Sequence, residues 1–272
     1  MKNIMSNNKW YDDICEYYNI SSEDALELGT RKVGRKPNLP ASSTTHAVKD
    51  MTLEEIWSSK IRENEEQIFQ FYKDQGAWSA FRQIVRHKDM RHVHLNLLSA
   101  IIRKTSSFCE YGCGVAPFTF TLLEEIDKNT NLDIFISDVE CEHFTFGKWR
   151  LEKLIKRRGL NNVKIEAKTI YPGLLPQYSK KLDTVFIFEV LEHVPSPVAT
   201  LENLSNQLNQ YGMICENFIK HVHVENEQQG PDLLSAANER NRYYEQINSW
   251  FSLTEGRDYK DFPNETRIWS KK

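Results

Sequence analysis

Two carboxylates and an imidazole lie close together in the second half of the chain, at a spacing that could support metal binding or proton transfer. Glu189, Glu192 and His193 follow a run of apolar residues and occupy positions i, i+3 and i+4. A helical turn at this point would place all three side chains on one face. The set suits Mg²⁺ or Mn²⁺, and the imidazole shifts the preference towards Mn²⁺, Fe²⁺ or Zn²⁺.

Two more histidines follow the next apolar run and could belong to the same site. His221 and His223 are two residues apart, just beyond a predicted strand. One interpretation is a metal site that lowers the pKa of a substrate hydroxyl, with His221 or His223 as an additional ligand. The other is a metal-free pocket in which His193, His221 or His223 is the general base, because imidazole titrates near neutrality. Both interpretations stay open.

A glycine-containing loop supplies a second candidate site. Glu110, Gly112 and Gly114 lie where a predicted strand ends and a helix begins. Glycines permit a sharp turn and a close approach of the backbone to a ligand. A carboxylate beside them disfavours phosphate, so the loop is expected to bind a nucleoside without phosphates. Asp138 ends the next predicted strand, from which a carboxylate can reach paired ribose hydroxyls.

Short β-rich runs alternate with helical stretches after residue 90. The pattern predicts strands at residues 108–111, 133–138, 163–167, 182–188 and 212–218, and helices around Leu122, from Phe144 to Ile155 and from Val198 to Leu208. This alternation predicts crossover connections and a mostly parallel sheet that is covered on both faces. The stretch from Asn217 to Asn248 is expected to form loops.

The N-terminal third has a different pattern. Helical periodicity runs from Trp57 to Tyr72 after a capping box, a second helix is predicted after Gly76, and Gly29–Thr45 is typical of a loop. We therefore expect a helical cap at residues 1–90, on the substrate side, and a second domain at residues 91–272.

Three histidines near this boundary are weaker candidates for chemistry. His87, His92 and His94 precede the first predicted strand, and nothing in their spacing requires a metal. They are expected at the surface or in contact with the substrate.

The composition excludes several classes of protein. The chain has 272 residues, 40% of them hydrophobic, and no apolar stretch approaches the length of a membrane helix, so a globular protein without a membrane partner is expected. Lys plus Arg number 35 against 38 Asp plus Glu, which leaves no basic surplus for an extended nucleic-acid surface. No Cys-x-x-Cys pair and no secretory core occur, so reduced thiols and a cytoplasmic location are expected.

Taken together, these motifs resemble those of the class I S-adenosylmethionine-dependent methyltransferases. The glycine loop, Asp138, the segment 182–197 and the strand at Gly212 occur in that family's order. The resemblance implies an α/β fold with a Rossmann-like, doubly wound sheet of seven strands, the last of them antiparallel, beside the N-terminal helical appendage. It also implies an S-adenosyl-L-methionine site bordered by Glu110, Tyr111, Gly112, Gly114, Asp138, Val139 and Glu189.

Within that site, the resemblance implies that the loop residues border the methionine part of the cofactor and that Asp138 takes the ribose. Two positions depart from the family's pattern. Ala116 stands where a third glycine is frequent, and Ala167–Thr169 lacks the acid that often contacts the adenine amino group. Adenine recognition is therefore left to the backbone or to another side chain.

The Glu-x-x-Glu-His spacing resembles the metal-dependent O-methyltransferases of ubiquinone biosynthesis and the small-RNA 3′-terminal 2′-O-methyltransferases. This implies Glu189, Glu192, His193 and a later histidine as metal ligands, although metal-free members of the superfamily carry a similar segment. The expected function is O-methylation of a hydroxyl on a small metabolite or sugar, with or without a divalent metal. N-methylation of a small molecule and 2′-O-methylation of an RNA ribose are the alternatives within the enzyme class, and a non-catalytic cofactor-binding module is the alternative outside it.

Overall fold

Seven strands of the computed structural model form one sheet, which is the layer that positions the candidate site. The structure describes residues 9–25, 62–101, 105–220 and 232–272. The strand order is β3-β2-β1-β4-β5-β7-β6, and β7 runs antiparallel to both of its neighbours. The predicted doubly wound sheet with a reversed last strand is confirmed. The strands are β1 Ser107–Tyr111, β2 Leu132–Val139, β3 Val163–Ile170, β4 Leu182–Phe188, β5 Leu208–Asn217, β6 Phe251–Glu255 and β7 Arg267–Lys271.

Helices cover both faces of this sheet, as the alternating pattern predicts. Alternate residues along β1 point to opposite sides, so that Phe108 packs in one hydrophobic cluster and Cys109 in the other. The first cluster contains residues of α1, α3, α5 and α6, and the second contains residues of α2, α7 and α8. The helices are α1 Lys9–Tyr18, α2 Glu65–Asp74, α3 Gly76–Asp89, α4 Arg91–Ile101, α5 Pro117–Glu125, α6 Glu142–Arg158, α7 Pro197–Gln207 and α8 Leu234–Trp250.

Two helices differ from the sequence-based prediction. Helix α2 begins at Glu65, and the Asn64 side chain caps it by accepting a hydrogen bond from the Gln67 backbone N–H at 3.0 Å. The predicted helix from Trp57 to Tyr72 is therefore interrupted before Glu65. Residues 26–61, with the predicted loop and capping box, lie outside the described part of the chain. The expected loops before Asn248 are wrong for α8. Its buried positions recur at helical spacing but include the charged residue Arg240 and lie among polar residues.

The N-terminal helices share a core with the sheet. Trp10 of α1 and Phe81 of α3 are both buried in the cluster that contains Phe108 of β1. At the surface of this packing, the Tyr18 hydroxyl donates to Glu142 of α6 at 2.9 Å. These contacts hold α1 and α3 against the face of the sheet that carries the glycine loop. None of the described helices is long and apolar enough to cross a membrane.

Candidate active site

The glycine loop follows β1 and adopts backbone conformations that favour glycine. Gly112 and Gly114 have φ angles of 63° and 52°. A Cβ atom on Gly112 would lie 2.4 Å from Cγ2 of Val190, far inside contact distance. Ala116 also has a positive φ, of 51°, immediately before α5 begins at Pro117. Ala116 therefore fills the position of the frequent third glycine in a left-handed conformation, which is uncommon for a residue with a side chain.

Glu110, at the end of β1, fixes the start of the following helix. Its carboxylate oxygens accept hydrogen bonds from the backbone N–H groups of Phe118 at 3.2 Å and Thr119 at 2.7 Å. A carboxylate at this place satisfies amide donors that the first helical turn leaves unpaired. Burial nevertheless raises the pKa of Glu110 to about 7. The side chain also borders the cavity described below, so its contact with the methionine part of the cofactor stays a prediction.

Asp138 joins the end of β2 to the same loop. Its Oδ2 atom accepts a hydrogen bond from the Gly114 N–H at 2.6 Å, and its Oδ1 atom accepts one from the Val139 N–H at 2.7 Å. Burial raises the pKa of this carboxyl, while nearby His143 acts in the opposite direction. Asp138 therefore holds the loop in place, and its predicted bond to the ribose would use the remaining lone pairs.

A buried histidine that the sequence motifs do not identify lies beside Asp138. His143 Nδ1 is 2.8 Å from Ser79 Oγ, and His143 Nε2 is 3.0 Å from Cys141 Sγ. Ligand-type atoms of Asp138, Cys141 and His143 lie within 4.8 Å of one another. Because Ser79 donates its hydroxyl hydrogen to the Gly76 carbonyl, it accepts from His143 Nδ1–H, and Nε2 can accept from the Cys141 thiol. Hydrogen bonding thus links His143 to Ser79 and Cys141, and Asp138 to the glycine loop.

The acidic segment after β4 does not form the helical turn that its spacing predicts. Glu189 has a φ of 55°, and its N–H donates to Asn217 Oδ1 at 2.6 Å. A short 3-10 turn follows at Leu191–His193. The Glu189 carboxylate pairs with Arg86 of α3, and its oxygens are not gathered with the ligand atoms of Glu192 and His193. The positive φ is the physical reason, because it redirects the chain before the turn begins.

Glu192 is the most unusual group of this segment. Its side chain has no solvent exposure, and neither carboxylate oxygen has a hydrogen-bond partner among the described residues. Burial raises its pKa well above the ordinary value, and the nearby Glu189 and Asp232 act in the same direction. His193 Nε2 is 3.8 Å from Glu192 Oε1. Two of the five predicted metal ligands therefore lie close together.

The other predicted ligands cannot be placed with them. His221 and His223 lie outside the described residues, and Glu189 faces Arg86. The predicted catalytic roles of His193, His221 and His223 and the predicted metal set of Glu189, Glu192, His193, His221 and His223 stay predictions.

One cavity brings the predicted cofactor residues together. It has a volume of about 590 Å³, within the range of small-molecule sites. One wall consists of the strand ends and their loops, and all seven predicted cofactor residues line it: Glu110, Tyr111, Gly112, Gly114, Asp138, Val139 and Glu189. The opposite wall comes from α2, α3 and α4, so part of the N-terminal region does cover the site. This wall includes Ile68, Tyr72, Arg82, Arg86, His87 and His94.

The structure places two of the three boundary histidines in the cavity wall, where substrate contact stays a prediction. His94 is buried, with only 1% of its surface exposed, and its ring packs against that of Phe118 at a tilt of 44°, with ring centroids 4.3 Å apart. His87 lies next to it in the cavity wall, whereas His92 is exposed. The sequence motifs do not identify this pair, because its contact depends on the one-residue break between α3 and α4 at Met90.

The strand order and the cavity at the carboxyl edge of the sheet agree with the fold of the class I S-adenosylmethionine-dependent methyltransferases. Residues 102–266 match a family model described as a methyltransferase domain, and the chain belongs to that family. The chain is thus an enzyme that uses S-adenosyl-L-methionine, a cofactor that supplies an electrophilic methyl group. The fit of this cofactor rests on the glycine loop, on Asp138 and on the volume of the cavity that they border.

Several solved methyltransferase structures are similar in fold. The N-methyltransferase NodS from Bradyrhizobium japonicum WM9, in complex with S-adenosylhomocysteine, is 13% identical, with 68% of this chain and 87% of that chain covered and a TM-score of 0.45. The O-methyltransferase from Bacillus cereus, also in complex with S-adenosylhomocysteine, is 18% identical, with 67% and 80% covered and a TM-score of 0.43. A methyltransferase from Aquifex aeolicus is 14% identical, with 65% and 88% covered and a TM-score of 0.46. A comparison with curated proteins finds no match.

Proposed function

We propose that this methyltransferase transfers the methyl group to a hydroxyl of a small metabolite or sugar that binds between the glycine loop and helices α2 to α4. The observation that carries the proposal is the cavity of about 590 Å³ that both walls enclose. Because the same cavity must also hold the cofactor, the space left for the acceptor suits a small molecule.

The charges around the cavity favour a hydroxyl over an amine. Arg82 and Arg86 line the wall that α3 contributes. Burial raises the pKa of Glu192, which favours the uncharged carboxyl on the opposite wall. An amine acceptor is an ammonium ion near neutral pH, and the Arg82 guanidinium disfavours it, whereas the ion pair with Glu189 balances the charge of Arg86. A neutral hydroxyl is not repelled electrostatically in this way.

The acceptor is tested by turnover with a defined panel. Purified protein and S-adenosylmethionine are incubated with catechols, phenols, monosaccharides and aliphatic amines, and methylated products are identified by mass spectrometry. The proposal expects an ether product from at least one hydroxyl compound. Methylation of amines alone, or of RNA with strong salt dependence, would contradict it.

Cofactor binding has its own control in this test. Asp138→Ala is expected to weaken S-adenosylhomocysteine binding by at least about tenfold, since it removes the carboxylate assigned to the ribose and frees the loop. Asp127→Ala, at an exposed position, is the matched control and should bind normally. Isothermal titration calorimetry measures both affinities.

A divalent metal is a further part of the proposal. Glu192 and His193 would hold the ion, with His221 or His223 completing the site, and the ion would lower the pKa of the acceptor hydroxyl. The two unpaired buried oxygens of Glu192 fit such a ligand. Titration of the protein with Mn²⁺ in the presence of S-adenosylhomocysteine, followed by electron paramagnetic resonance, tests this.

The metal test needs variants that distinguish Mn²⁺ binding at Glu192 from Mn²⁺ binding to exposed carboxylates. Glu192→Gln should abolish Mn²⁺ binding, whereas Glu202→Gln, which alters an exposed carboxylate on α7, should not. Equal Mn²⁺ affinity in wild type and Glu192→Gln would remove the metal from the proposal and leave O-methylation to the side chains alone.

A further inference from the structure

We propose that Nε2 of His87 accepts the proton of the acceptor hydroxyl, and that His94 and Thr121 are positioning residues that fix the His87 ring. The inference rests on the proposed function, because it assigns the base for that reaction. It differs from the sequence-based candidates for the base, which lie on the other wall of the cavity or outside the described residues.

A chain of three hydrogen bonds determines which nitrogen of each imidazole carries hydrogen. The Thr121 hydroxyl donates to the Pro117 carbonyl at 2.8 Å, so its oxygen is left as an acceptor. His94 Nδ1 is 3.5 Å from this oxygen and is therefore the donor. Nε2 of His94 then has only a lone pair, and it lies 3.4 Å from Nδ1 of His87. His87 donates through Nδ1, which leaves its Nε2 without hydrogen.

The free nitrogen belongs to a side chain that borders the acceptor space. His87 and His94 both line the cavity, and His94 packs on Phe118 in the first turn of α5. Phe118 follows the glycine loop directly, and its ring also stacks on Phe188 at 4.7 Å. The imidazole pair thus lies on the side of the cavity where the cofactor loop ends, as a proton acceptor for methyl transfer must.

The charges around the pair keep it uncharged. Burial lowers the pKa of His87 well below its ordinary value, and His94, Arg86 and Arg150 act in the same direction. Burial lowers the pKa of His94 to about 4, followed by the effects of Arg150, His92 and Arg91. All of these neighbours are cations or imidazoles. A neutral imidazole is the form that can take a proton.

A weak base suffices for this reaction because the acceptor becomes acidic during it. An oxygen lone pair forms the new C–O bond, the C–S bond breaks with both electrons on sulfur, and the O–H proton goes to His87 Nε2. The oxygen is a strong acid once it carries both the methyl group and its hydrogen, so even an imidazole of lowered pKa can accept the proton. Solvent removes that proton after the product leaves.

The first test reads the hydrogen positions directly and requires no acceptor. ¹⁵N-histidine-labelled protein with S-adenosylhomocysteine is observed by long-range ¹H–¹⁵N NMR at pH 7. Neutral Nδ1–H forms of both His87 and His94 are expected, and His94→Gln should release His87 into a mixture of the two tautomers. A His87 ring protonated at Nε2 in wild type would overturn the assignment.

The second test measures turnover with the panel hydroxyl that wild type methylates fastest, beginning with the catechol 3,4-dihydroxybenzoate. His87→Gln should lower kcat by about 100-fold or more and leave S-adenosylhomocysteine affinity unchanged. His92→Gln, at an exposed position two residues before His94, is the control and should keep the wild-type kcat.

The outcomes separate the two proposals. If wild type methylates no hydroxyl, the proposed function fails and the base fails with it. If wild type is active and His87→Gln keeps its kcat, only the base assignment fails. Matching thermal unfolding temperatures of His87→Gln and wild type show that a lost rate does not come from misfolding.

Discussion

Glu110 shows how one residue can serve the local structure and the site together. Its carboxylate caps α5 through two backbone N–H groups, and it borders the cavity at the same time. Capping the helix and being buried have opposite effects on the ionisation of Glu110. The amide bonds favour the charged form, whereas burial favours the neutral one and raises the pKa to about 7.

The raised pKa of Glu110 makes stability depend on pH in a defined direction. The folded chain keeps the proton up to about pH 7, whereas the unfolded chain loses it near the ordinary glutamate value of 4.5. A rise in pH across this window therefore favours unfolding, by about 3 kcal/mol at most for this one group. The uncharged side chain of Glu110→Gln resembles the protonated glutamate, so the free energy of unfolding of this variant should not fall in this way as the pH rises.

Urea unfolding of wild type and Glu110→Gln at pH 5 and pH 8 measures the difference. The free energy of unfolding of wild type should fall relative to that of the variant between the two pH values. A difference that does not change with pH would show that Glu110 ionises normally.

Gly112 is expected to tolerate no side chain. Gly112→Ala adds the strain of a left-handed residue, about 1 kcal/mol, and places a methyl group 2.4 Å from Val190, which costs a further 1–3 kcal/mol or so. Gly159→Ala is the matched control, because Gly159 has a φ of 65° but no atom within 4 Å of the added carbon. Chemical unfolding should show a clearly larger loss for Gly112→Ala.

Equal losses of unfolding free energy for the two alanine variants would show that the Val190 side chain moves to accommodate the added methyl group. The double variant Gly112→Ala with Val190→Ala then provides a second check, since it should recover the packing part of the loss and keep the strain.

Residue types with a strict conformational or spacing signature are predictable from the sequence. The glycine loop and Asp138 are recognisable because glycines that follow a predicted strand, with a carboxylate at the end of the next one, are typical of a nucleoside site. His87 and His94 are not recognisable in this way. Their pairing depends on the turn at Met90, and neither a motif nor a period indicates that contact.

At the scale of elements, strands are easier to predict than helices. Each predicted strand overlaps an observed one, because the central strands are rich in apolar residues and the edge strand β3 alternates apolar with charged residues. The sequence did not predict helix α8, because the charged residue Arg240 interrupts the apolar spacing of its buried face, which otherwise consists of Ala236, Tyr243, Tyr244 and Ile247. The 3-10 turn at Leu191–His193 differs from the predicted helical turn because of the positive φ at Glu189.

Helix α1 is attached to the sheet by a buried cation between aromatic rings. The Arg150 guanidinium of α6 lies 4.4 Å from the ring of Trp10 and 4.0 Å from that of Phe120. None of its nitrogens has a hydrogen-bond acceptor in the described part of the chain, and burial lowers the pKa of Arg150 to about 9. The rings therefore stabilise the guanidinium together with the nearby carboxylates of Asp13, Glu110 and Glu124.

A double-mutant cycle measures the contact between α1 and α6. Trp10→Ala should lower the free energy of unfolding by about 3–5 kcal/mol. With Arg150→Met in the background, the loss should shrink by about 1–2 kcal/mol, which is the size of a desolvated cation–π contact. Asp12→Ala, on the exposed face of α1, should change little. A coupling energy near zero would show that Arg150 is held by packing alone.

At the scale of the whole molecule, residues before the family match belong to the same folded unit as those within it. The match begins at residue 102, yet Trp10 and Phe81 share a buried cluster with Phe108. The division at residue 90 stays a prediction, and the shared core gives it a physical consequence. A chain that begins at residue 91 would expose the apolar surface that α1 and α3 now cover.

Because the two walls of the cavity come from distant parts of the sequence, cofactor binding should stabilise both of them. S-adenosylhomocysteine at 100 times its Kd should raise the free energy of unfolding by about 2.7 kcal/mol. Hydrogen exchange should slow in the glycine loop at residues 112–114 and, in the same experiment, in α3 around Gln83 and His87, which line the cavity from the N-terminal side.

Strand β6 lies at the far edge of the sheet and provides the internal reference. Its exchange should not change beyond what the global gain in stability produces. At the same ligand concentration, Asp138→Ala should reduce the protection of both walls together, because it weakens binding. Protection of the glycine loop without protection of α3 would mean that the helical wall does not contact the bound cofactor, and the acceptor space would then lie between α3 and the cofactor.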